Sequence, residues 1–410
     1  MVLNTYQPSH LGKIPDDWKR VKFSTITKVR QGLQIAISER LTTPTETSKE
    51  YITIQSIKKT DQVREYVEMP SDRVTCRKDD VLMTRTGNTG IVVTDVEGAF
   101  HNNFFLMDYD RNKINKKFLI DYLRTNRVQH LILTKAGAST IPDLNHKDFY
   151  SIEFPLAPLE EQRKIALILS AWDKAISTTE SLIANSQQQK KSLMQQLLTG
   201  KKRFAEFEGE WEEVPLKSLG KCITGLTYSP NDITDEGILV LRSSNIQNGK
   251  LSFIDNVYVS KTVVDENKTQ NGDILVCVRN GSKNLIGKSA LINKKCSGET
   301  HGAFMTLFRS KYPDYTFQLF QTREYYRQVH QNLGATINSI NTSNLYKFKF
   351  VIPTNINELK KVASVLSSAY QEINILQQKL THLKQEKKAL MQQLLTGKRR
   401  VIVDNETEAA

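Results

Sequence analysis

A long internal repeat constrains this chain more than any other feature. Residues 190–203, KKSLMQQLLTGKKR, return at residues 387–400 as KKALMQQLLTGKRR, with 12 of 14 positions identical and a constant offset of 197. Solenoid repeats run to roughly 20 to 50 residues, so a repeat of this length indicates duplication of a whole domain with its trailing segment. The chain is therefore predicted to contain one structural unit twice.

The trailing segment of each copy is predicted to be a long helix. Glu160 and Glu161 suit the positive end of a helix dipole, and neither proline nor glycine follows before Gly200. Apolar residues then recur in alternating steps of four and three, which is the spacing of a coiled-coil seam. We therefore predict two helices, each roughly 60 Å long at ~1.5 Å per residue, that pair as an antiparallel coiled coil with pseudo-twofold symmetry. The alternative is that each helix packs on its own globular domain.

The predicted seam contains polar as well as apolar positions. Lys190 and Lys387 both lie on it, where a polar residue costs stability but can fix the register, unless the coil simply frays there. The apolar positions predicted to form the coiled coil or to dock partner subunits are Ile176, Ile183, Leu193, Leu197, Ile373, Leu376, Leu380, Leu383, Leu390 and Leu394.

The part of each copy that precedes the helix is predicted to be an α/β or α+β domain. Trp18 matches Trp211, and Gly32 matches Gly225, at an offset of 193. Residues 118–131 and 317–329 are predicted to form a helix in each domain. Short β-branched runs bounded by glycine, asparagine or aspartate predict strands at residues 51–57, 81–83, 91–93, 238–241, 274–278 and 348–352.

The repeat and these patterns give a tandem order of segments. The predicted order is a first α/β domain at residues 1–157, a long helix at 158–199, a basic linker at 200–210, a second α/β domain at 211–354, a second long helix at 355–397 and a tail at 398–410.

Composition narrows the class of protein and of partner. The net charge of +13, with a pI near 9.3, favours a phosphate-rich partner such as nucleic acid, although a merely basic solvated surface would give the same total. The four cysteines contain no CxxC pair, which argues against a disulfide framework and a zinc site. No apolar run approaches the ~20 residues of a membrane span, and no signal peptide is evident. We therefore expect a cytoplasmic protein.

Catalytic motifs are missing from the sequence. The segment from Gly281 to Ser289 resembles a P-loop, but five residues separate its glycines where the motif requires four. No GxGxxG or HExxH motif occurs, and the chain contains no Pro-Pro pair. We therefore predict a protein with no catalytic residues, no metal ligands and no cofactor of its own, while carboxylates and histidines could still converge in the fold.

Both domains instead offer polar side chains in loops that follow predicted strands. Arginine, asparagine and glutamine pair bidentately with guanine or adenine, and serine, threonine and lysine hold phosphates. For each residue taken singly, a turn or strand-end role explains it as well. The candidates for DNA contact are Gln31, Gln34, Gln55, Arg85, Thr86, Asn88, His101, Asn102 and Asn103 in the first domain and Thr227, Tyr228, Arg242, Ser244, Asn245, Arg279, Asn280, Ser282, Lys283 and His301 in the second.

These features together resemble the DNA-specificity subunit of type I restriction-modification systems, over nearly the whole chain. The resemblance rests on the two-copy layout, the Trp18 and Trp211 openings, residues 272–275, the glycine turns at residues 137–139 and 334–336, and residues 155–165 with Glu161 and Gln162 opening the helix. The second copy departs from the family pattern with Leu359 in place of the glutamine, which puts a contact at the start of that helix in doubt.

The resemblance implies a function in sequence-specific DNA recognition. Each domain would read one half of a bipartite, asymmetric double-stranded target, and the helices would set the spacer, since roughly 60 Å spans about 18 base pairs. Two methyltransferase subunits with S-adenosylmethionine and two restriction subunits with ATP and Mg would complete the assembly, and none of these cofactors would bind this chain. Two alternatives remain open from the residues alone: a coiled-coil scaffold whose domains bind protein or RNA, and an ATPase built on the Gly281 loop.

Overall fold

The chain forms two compact units. A computed structural model describes residues 6–9, 12–58, 63–137, 141–264, 267–333 and 338–402. Unit 1 comprises residues 1–179 and 379–410, and unit 2 comprises residues 180–378. Unit 2 is therefore contiguous in sequence, whereas unit 1 is assembled from two separated stretches. The predicted glycine turns at residues 138–139 and 334–336 lie outside the described residues.

Unit 1 contains an α+β domain followed by the start of the first long helix. Its helices are α1 (Phe23–Ile26), α2 (Ile54–Lys58), α3 (Lys116–Leu123), α4 (Asn126–Ala136), α5 (His146–Tyr150) and the long α6 (Leu159–Leu197), which continues into unit 2. Its strands are β1 (Tyr6–Ser9), β2 (Gly12–Pro15), β3 (Lys19–Lys22), β4 (Thr27–Gln31), β5 (Lys49–Ile52), β6 (Tyr66–Val67), β7 (Thr75–Cys76), β8 (Val81–Thr84), β9 (Val92–Val93), β10 (Gly98–Phe100), β11 (Phe104–Tyr109) and β12 (Glu153–Leu156).

Unit 2 repeats this plan. Its helices are α7 (Leu216–Leu219), α8 (Pro313–Leu319), α9 (Arg323–Gln331), α10 (Thr342–Tyr346) and the long α11 (Ile356–Leu394), which continues into unit 1. Its strands are β13 (Trp211–Pro215), β14 (Gly220–Thr224), β15 (Ile233–Thr234), β16 (Ile238–Leu241), β17 (Ile246–Gln247), β18 (Lys250–Leu251), β19 (Tyr258–Val259), β20 (Ile274–Cys277), β21 (Ser289–Leu291), β22 (Thr300–His301), β23 (Met305–Ser310) and β24 (Lys349–Pro353).

A four-stranded antiparallel sheet forms the centre of each domain. Its strand order is β4-β11-β8-β9 in unit 1 and β14-β23-β20-β21 in unit 2. All four residues of β8 are buried, and successive side chains of a strand point to opposite faces. Val81 and Met83 accordingly join the core that contains the helices, while Leu82 joins a smaller core on the other face. The sheet is thus covered on both faces, which explains the continuous apolar runs in the sequence.

The glycines shared by the two copies lie where backbones approach each other closely. A Cβ atom added to Gly32 would lie 2.1 Å from the carbonyl oxygen of Phe100, and one added to Gly225 would lie 2.2 Å from that of Gly302. Each glycine follows the first strand of the central sheet and lets the chain pair in parallel with the segment that enters β11 or β23. The two domains therefore share the same turn geometry at Gly32 and Gly225, which explains why both copies have glycine there.

Several sequence predictions of local structure are corrected. The predicted strand at residues 51–57 ends at Ile52, because α2 follows it and Thr53 caps that helix by accepting from the Ser56 N–H at 3.1 Å. The single helices predicted at residues 118–131 and 317–329 are each two helices. Thr125 and Thr322 interrupt them, since each hydroxyl caps the helix that follows.

The long helices pair antiparallel inside each unit. Both α6 and α11 contain 39 residues. In unit 1, the Nζ of Lys387 on α11 lies 2.5 Å from Oδ1 of Asp173 on α6. In unit 2, Ser186 on α6 donates to Oε1 of Glu372 on α11 at 3.2 Å. None of the predicted seam residues is exposed, which agrees with the predicted seam.

The ends of the long helices pack on the domains as well as on each other. Leu197 is buried in the main core of unit 2, and Leu394 is buried in that of unit 1. Leu193 and Leu390 pack against the same two cores. Helix pairing and packing on a globular domain, which the sequence presented as alternatives, therefore occur together. Among the described residues, no helix is both long and apolar enough to cross a membrane.

Candidate nucleic-acid interface

Strand ends in the first domain bring six of its candidate residues together. Because β4 and β8 both pair with β11, the end of each lies beside the turn that enters β11. The N–H of Arg85 donates to the carbonyl oxygen of Asn103 at 2.7 Å, and the Asn102 amide donates to Oε1 of Gln34 at 2.6 Å. We call this group the first reading edge, which consists of Gln31, Gln34, Arg85, His101, Asn102 and Asn103.

The remaining candidates of the first domain have other positions. Thr86 pairs with Asp143 in a β-bridge directly after Arg85. Asn88 is exposed in the same turn, and its carbonyl oxygen accepts from the Thr84 hydroxyl. Gln55 is exposed on α2, which is a different element. Thr86 and Asn88 therefore extend the first reading edge along one turn, whereas Gln55 is separate from it in sequence and element.

The second domain has an equivalent edge with different side chains. Arg279 follows β20, donates its N–H to the carbonyl oxygen of Phe304 at 3.1 Å, and holds its guanidinium 5.7 Å from the centre of the Phe304 ring. Asn280 donates from its amide to the Ser243 hydroxyl at 3.1 Å, which ties this turn to the loop at residues 242–245. We call the group of Arg242, Ser244, Arg279, Asn280 and Phe304 the second reading edge.

Phe304 was not among the sequence candidates. It precedes β23 as Asn103 precedes β11, and the backbone oxygen of each accepts from the residue that follows the neighbouring strand. Its side chain is 57% exposed, which is unusual for a phenylalanine next to a buried strand. Its only signal in the sequence is an aromatic residue immediately before an apolar run, a pattern that buried strands share.

Other second-domain candidates lie near this edge on exposed turns. Thr227 is exposed and Tyr228 half-buried in the loop after β14. Ser282 and Lys283 are exposed in the turn after Asn280, where the Ser282 N–H donates to Oδ1 of Asn280 at 3.0 Å. These four side chains are therefore free to contact a ligand beside the second reading edge.

Two candidates are corrected because their side chains are fully buried. The Asn245 amide donates to the carbonyl oxygens of Ser252 and Asp255 at 2.9 and 3.3 Å, and so closes a loop. His301 occupies the position that Phe100 occupies in the first domain, and its Nε2 lies 3.0 Å from the carbonyl oxygen of Ile223. Both side chains support the edge from inside the fold.

Each reading edge holds buried polar atoms that have no hydrogen-bond partner among the described residues. Arg85 Nε and Asn102 Oδ1 are buried in the first edge without a hydrogen-bond partner among the described residues. Arg242 Nε and Ser244 Oγ have the same status in the second edge. Native proteins leave few buried polar groups unpaired, because each costs free energy until it finds a partner. Both edges therefore have the chemistry of an incomplete polar interface.

The charge state of the first reading edge follows from its surroundings. Burial, followed by the charge of Arg40, lowers the pKa of His101, so its imidazole is neutral near pH 7. Arg85 forms an ion pair with Asp143 at 2.8 Å and lies 5.6 Å from the Phe105 ring centre. The cationic side chain at this edge is therefore arginine, whose planar fork suits a guanine edge, while Asp143 offsets its charge.

The imperfect P-loop has no P-loop structure. Lys283–Leu285 forms a single 3₁₀ turn, and the chain then enters strand β21 at Ser289. A P-loop instead leads into a helix, whose N-terminal amide groups face the phosphates. The geometry argues against the ATPase alternative.

The repeated segment closes each unit on itself. In unit 1, Arg400 donates to Glu161 at 2.7 Å and to Asp17 at 2.9 Å, and the Trp18 indole N–H donates to Glu161 at 2.9 Å. Gly397 has a φ of 64° and packs beside Trp18.

Unit 2 repeats this closure with fewer partners. Arg203 donates to both oxygens of Glu358, at 2.8 and 2.7 Å, and Gly200, with a φ of 69°, packs beside Trp211. The Trp211 Nε1 atom is buried without a hydrogen-bond partner in the described structure. Much of the sequence identity between the two repeats is therefore used in contacts inside the chain.

The residue that departs from the family pattern is accommodated by its surroundings. Buried Gln162 accepts from the Asn115 N–H at 2.9 Å and donates to the carbonyl oxygens of Lys113 and Ala157. Its counterpart Leu359 is buried in the main core of unit 2. The second copy thus keeps the glutamate contact through Glu358 and replaces the glutamine contact by apolar packing.

Comparison with known proteins identifies relatives over nearly the whole chain. A sequence model described as the type I restriction modification DNA specificity domain matches it twice, at residues 15–185 and 208–385. The chain is 25% identical over 421 residues to the type I restriction enzyme MjaVIII specificity subunit of Methanocaldococcus jannaschii, covering 97% of this chain and 96% of that protein. It is 29% identical over 198 residues to the type I restriction enzyme EcoKI specificity subunit of Escherichia coli K12, covering 46% and 42% respectively.

A solved structure shows the same fold. The S subunit of a type I restriction-modification system from M. genitalium matches with a TM-score of 0.60 at 15% sequence identity, covering 92% of this chain and 96% of that one. A chain from a structure of type I restriction-modification complex assembly matches with a TM-score of 0.57 at 17% identity, covering 94% of this chain and 100% of that one.

Proposed function

The chain belongs to the type I restriction-modification DNA-specificity family, and from this premise we propose that its two reading edges contact the two halves of one bipartite DNA target. As a member of this family it is a DNA-recognition subunit that works with other subunits. The first reading edge would contact one half-site, and the second reading edge would contact the other. Because the two edges carry different side chains on the same strand framework, the target would be asymmetric.

The observation that carries this proposal is the pair of equivalent edges, which present different polar side chains at the ends of equivalent strands. The first edge presents Arg85 and Asn102, and the second presents Arg242 and Ser244. Asp143 and Asp255 hold the two guanidinium groups in place at 2.8 and 2.9 Å. Arginine and asparagine recognise guanine and adenine edges through paired hydrogen bonds. The exposed parts of these half-buried side chains would contact bound DNA, and the net charge of +13 would attract the duplex.

We attribute catalysis and cofactors to partner subunits. Two methyltransferase subunits would bind S-adenosylmethionine and methylate adenines, and two restriction subunits would use ATP and Mg. This chain would contribute DNA recognition in the cytoplasm. The long helices would set the spacer, because 39 residues at 1.5 Å each span roughly 58 Å, or about 17 base pairs.

Mapping of methylated adenines tests the proposal directly. Genomic DNA would be sequenced for N6-methyladenine from cells with this chain and its methyltransferase partner, and from cells that lack this chain alone. We expect one asymmetric motif of two short defined parts around an unspecified spacer, and we expect it to vanish without this chain. A motif that persists without the chain, or one continuous defined sequence, would overturn the proposal.

A further inference from the structure

The repeated seam lysines have different electrostatic surroundings in the two units. In unit 1, Lys387 forms an ion pair with Asp173, and Lys117 pairs with both Asp173 and Asp121. Two lysines and two aspartates thus form a cluster with no net charge. In unit 2, Tyr370 stands where the repeat places Asp173, since the two positions differ by 197.

Two lysine side chains lie against the ring of Tyr370, which replaces the carboxylate of Asp173. The Lys190 ammonium lies 4.8 Å from the centre of the Tyr370 ring, and the Lys250 ammonium lies 5.5 Å from it. Lys250 also donates to Oε1 of Gln377 at 2.9 Å. Neither lysine forms an ion pair with a carboxylate of the described residues. A ring face and an amide oxygen neutralise no charge, so two positive charges remain at this place.

These lysines line a cavity that suits an anion. The cavity has a volume of about 500 Å³ and is also lined by Gln187, Gln247 and Asn374. The two ammonium groups, together with the side-chain amides of Gln187 and Gln247, supply the hydrogen-bond donors that an anion requires. Burial, followed by the charge of Lys250, lowers the pKa of Lys190, as expected for a cation that lacks a counterion.

We propose that Lys190, Lys250 and Tyr370 form a binding site for a backbone phosphate of the DNA duplex. Lys250 lies on the β17–β18 hairpin, which directly follows the loop at residues 242–245 of the second reading edge. The buried Asn245 amide fastens the base of that hairpin to the loop by its bond to the carbonyl oxygen of Ser252. Strand β17 has two residues, which advance the chain by only about 7 Å from the loop at residues 242–245 to the turn of the hairpin. A duplex bound on the second reading edge therefore brings its phosphates close to this site.

The site contacts the phosphate backbone and carries no sequence information. It adds affinity and fixes the position of the duplex on the second domain, while the reading edge determines the bases. Because the cluster around Lys387 in unit 1 is neutralised by aspartates, that cluster makes no such contact. This inference rests on the proposed function, and it adds an asymmetry of phosphate contacts between the two domains.

Salt dependence of DNA binding tests the site. The full chain, assembled with its partner subunits, would be titrated with a duplex that contains its methylated motif at several salt concentrations. A Lys190→Gln/Lys250→Gln variant should reduce the magnitude of the slope of log K against log salt by about 0.9, since the site contacts one phosphate and each phosphate contact contributes about 0.9. The methylated motif should stay the same, because the bases are read elsewhere.

Lys387→Gln is the matched control. It removes the repeat counterpart of Lys190 from a cluster that aspartates already neutralise, so the salt slope should not change. An unchanged slope in the Lys190→Gln/Lys250→Gln variant would overturn the site, as would an equal fall of the slope in Lys387→Gln. The site would also be overturned if the double variant bound DNA with unchanged affinity but no longer assembled with the partner subunits. The two lysines would then bind an acidic surface of a partner protein and not a DNA phosphate.

Neutral phosphate analogues locate the contact and separate this inference from the proposed function. Methylphosphonates placed singly along the duplex should weaken binding of the wild-type complex at one or two positions beside the second half-site, and the Lys250→Gln variant alone should lose that sensitivity. Lys250 lies on a surface hairpin, so this variant keeps the test valid if the double variant fails to fold. A wild-type complex without sequence preference would refute the proposed function, whereas specific binding without a sensitive position in this region would refute only the site.

Discussion

Arg400 and Glu161 lie 239 residues apart in sequence, and the guanidinium of one donates to the carboxylate of the other at 2.7 Å. Glu161 is buried, so it depends on this partner and on the Trp18 indole for its hydrogen bonds. The corresponding pair in unit 2, Arg203 and Glu358, has the same geometry but lacks the tryptophan contact in the described structure. Each copy of the repeat therefore contributes an arginine that pairs with the buried glutamate of its unit, but only in unit 1 does a tryptophan also donate to that glutamate.

Arg400→Ala should destabilise unit 1, and Arg203→Ala should destabilise unit 2. Removal of one partner of a buried ion pair leaves a buried charge, so we expect a loss of about 3 kcal/mol for Arg400→Ala. Arg203→Ala should cost about 1 kcal/mol more, because Glu358 keeps no tryptophan donor. Urea titration with hydrogen exchange of β8 and β20 amides would report each unit separately.

Neighbouring residues supply the controls for this pair of variants. Lys398 and Arg399 are exposed in the same segment as Arg400, so their replacement by alanine should leave stability unchanged. A loss in Arg203→Ala no greater than that in Arg400→Ala would show that the Trp18 contact contributes nothing. Destabilisation of both units by one arginine variant would show that each closure is not local to its unit.

Exchange of Gln162 and Leu359 should be harmful in both directions. Gln162→Leu leaves the Asn115 N–H and two carbonyl groups without their partner, and we expect a loss of about 2 kcal/mol. Leu359→Gln places an amide in an apolar core and should cost a similar amount. Thermal unfolding of the two variants would test this, and a stable Leu359→Gln protein would show that an unnoticed polar partner exists there.

Substitutions in one reading edge should change only one half of the methylated motif. Arg85→Ala should relax the first half-site and Phe304→Ala the second, because Phe304 presents an exposed ring that suits a thymine methyl group. Loss of a base contact costs about 1–3 kcal/mol, so methylation of the original motif should fall roughly 10- to 100-fold relative to its variants. Methylation mapping by sequencing would measure both halves at once.

Ile233→Ala controls for loss of an exposed apolar side chain in the same domain, since Ile233 is 47% exposed on β15. It should leave the motif intact. Uniform weakening by Arg85→Ala, without a change of motif, would assign Arg85 to a phosphate. A change in the wrong half-site would contradict the assignment of edges to half-sites.

Replacement of a whole domain should transfer a whole half-site. With residues 17–150 exchanged for those of another family member, the first half of the methylated motif should become that of the donor and the second half should persist. Simultaneous change of both halves would refute independent reading by the two domains.

A charge on the helix seam should disturb assembly. Leu383 is half-buried on the seam of α11, so Leu383→Asp should weaken helix pairing, lower the yield of complex with the partner subunits or alter the spacer length. His382→Asp, at an exposed neighbouring position, is the matched control. Unchanged assembly and motif in Leu383→Asp would count against a role of the helix pair in the spacer.

The repeat made the duplication and the helix seam predictable, because spacing in sequence maps directly onto one side of a helix. The repeat did not identify which elements pack against the apolar side of each helix. Leu197 and Leu394 have seam spacing, and each is buried in a cluster that contains both the facing long helix and the domain core, since heptad spacing does not specify which other elements pack there.

The reading edges were predictable only in part. Arg85 and Arg279 follow buried strands, and strand ends are visible in sequence. His301 was misjudged and Phe304 was missed because the exposure of both depends on strand register. The parallel pairing of Leu226 with Gly302 turns His301 inward and leaves Phe304 at the surface.

The discontinuity of unit 1 sets an order of events during synthesis. The 199 residues of unit 2 lie between the two stretches of unit 1, so a ribosome needs roughly 10 to 40 s to cross them at ~5 to 20 residues per second. During that interval Glu161 and Trp18 have already been made, while Arg400 has not. We therefore expect the unit that comes second in sequence to finish folding first, and the first unit to wait for the end of the chain.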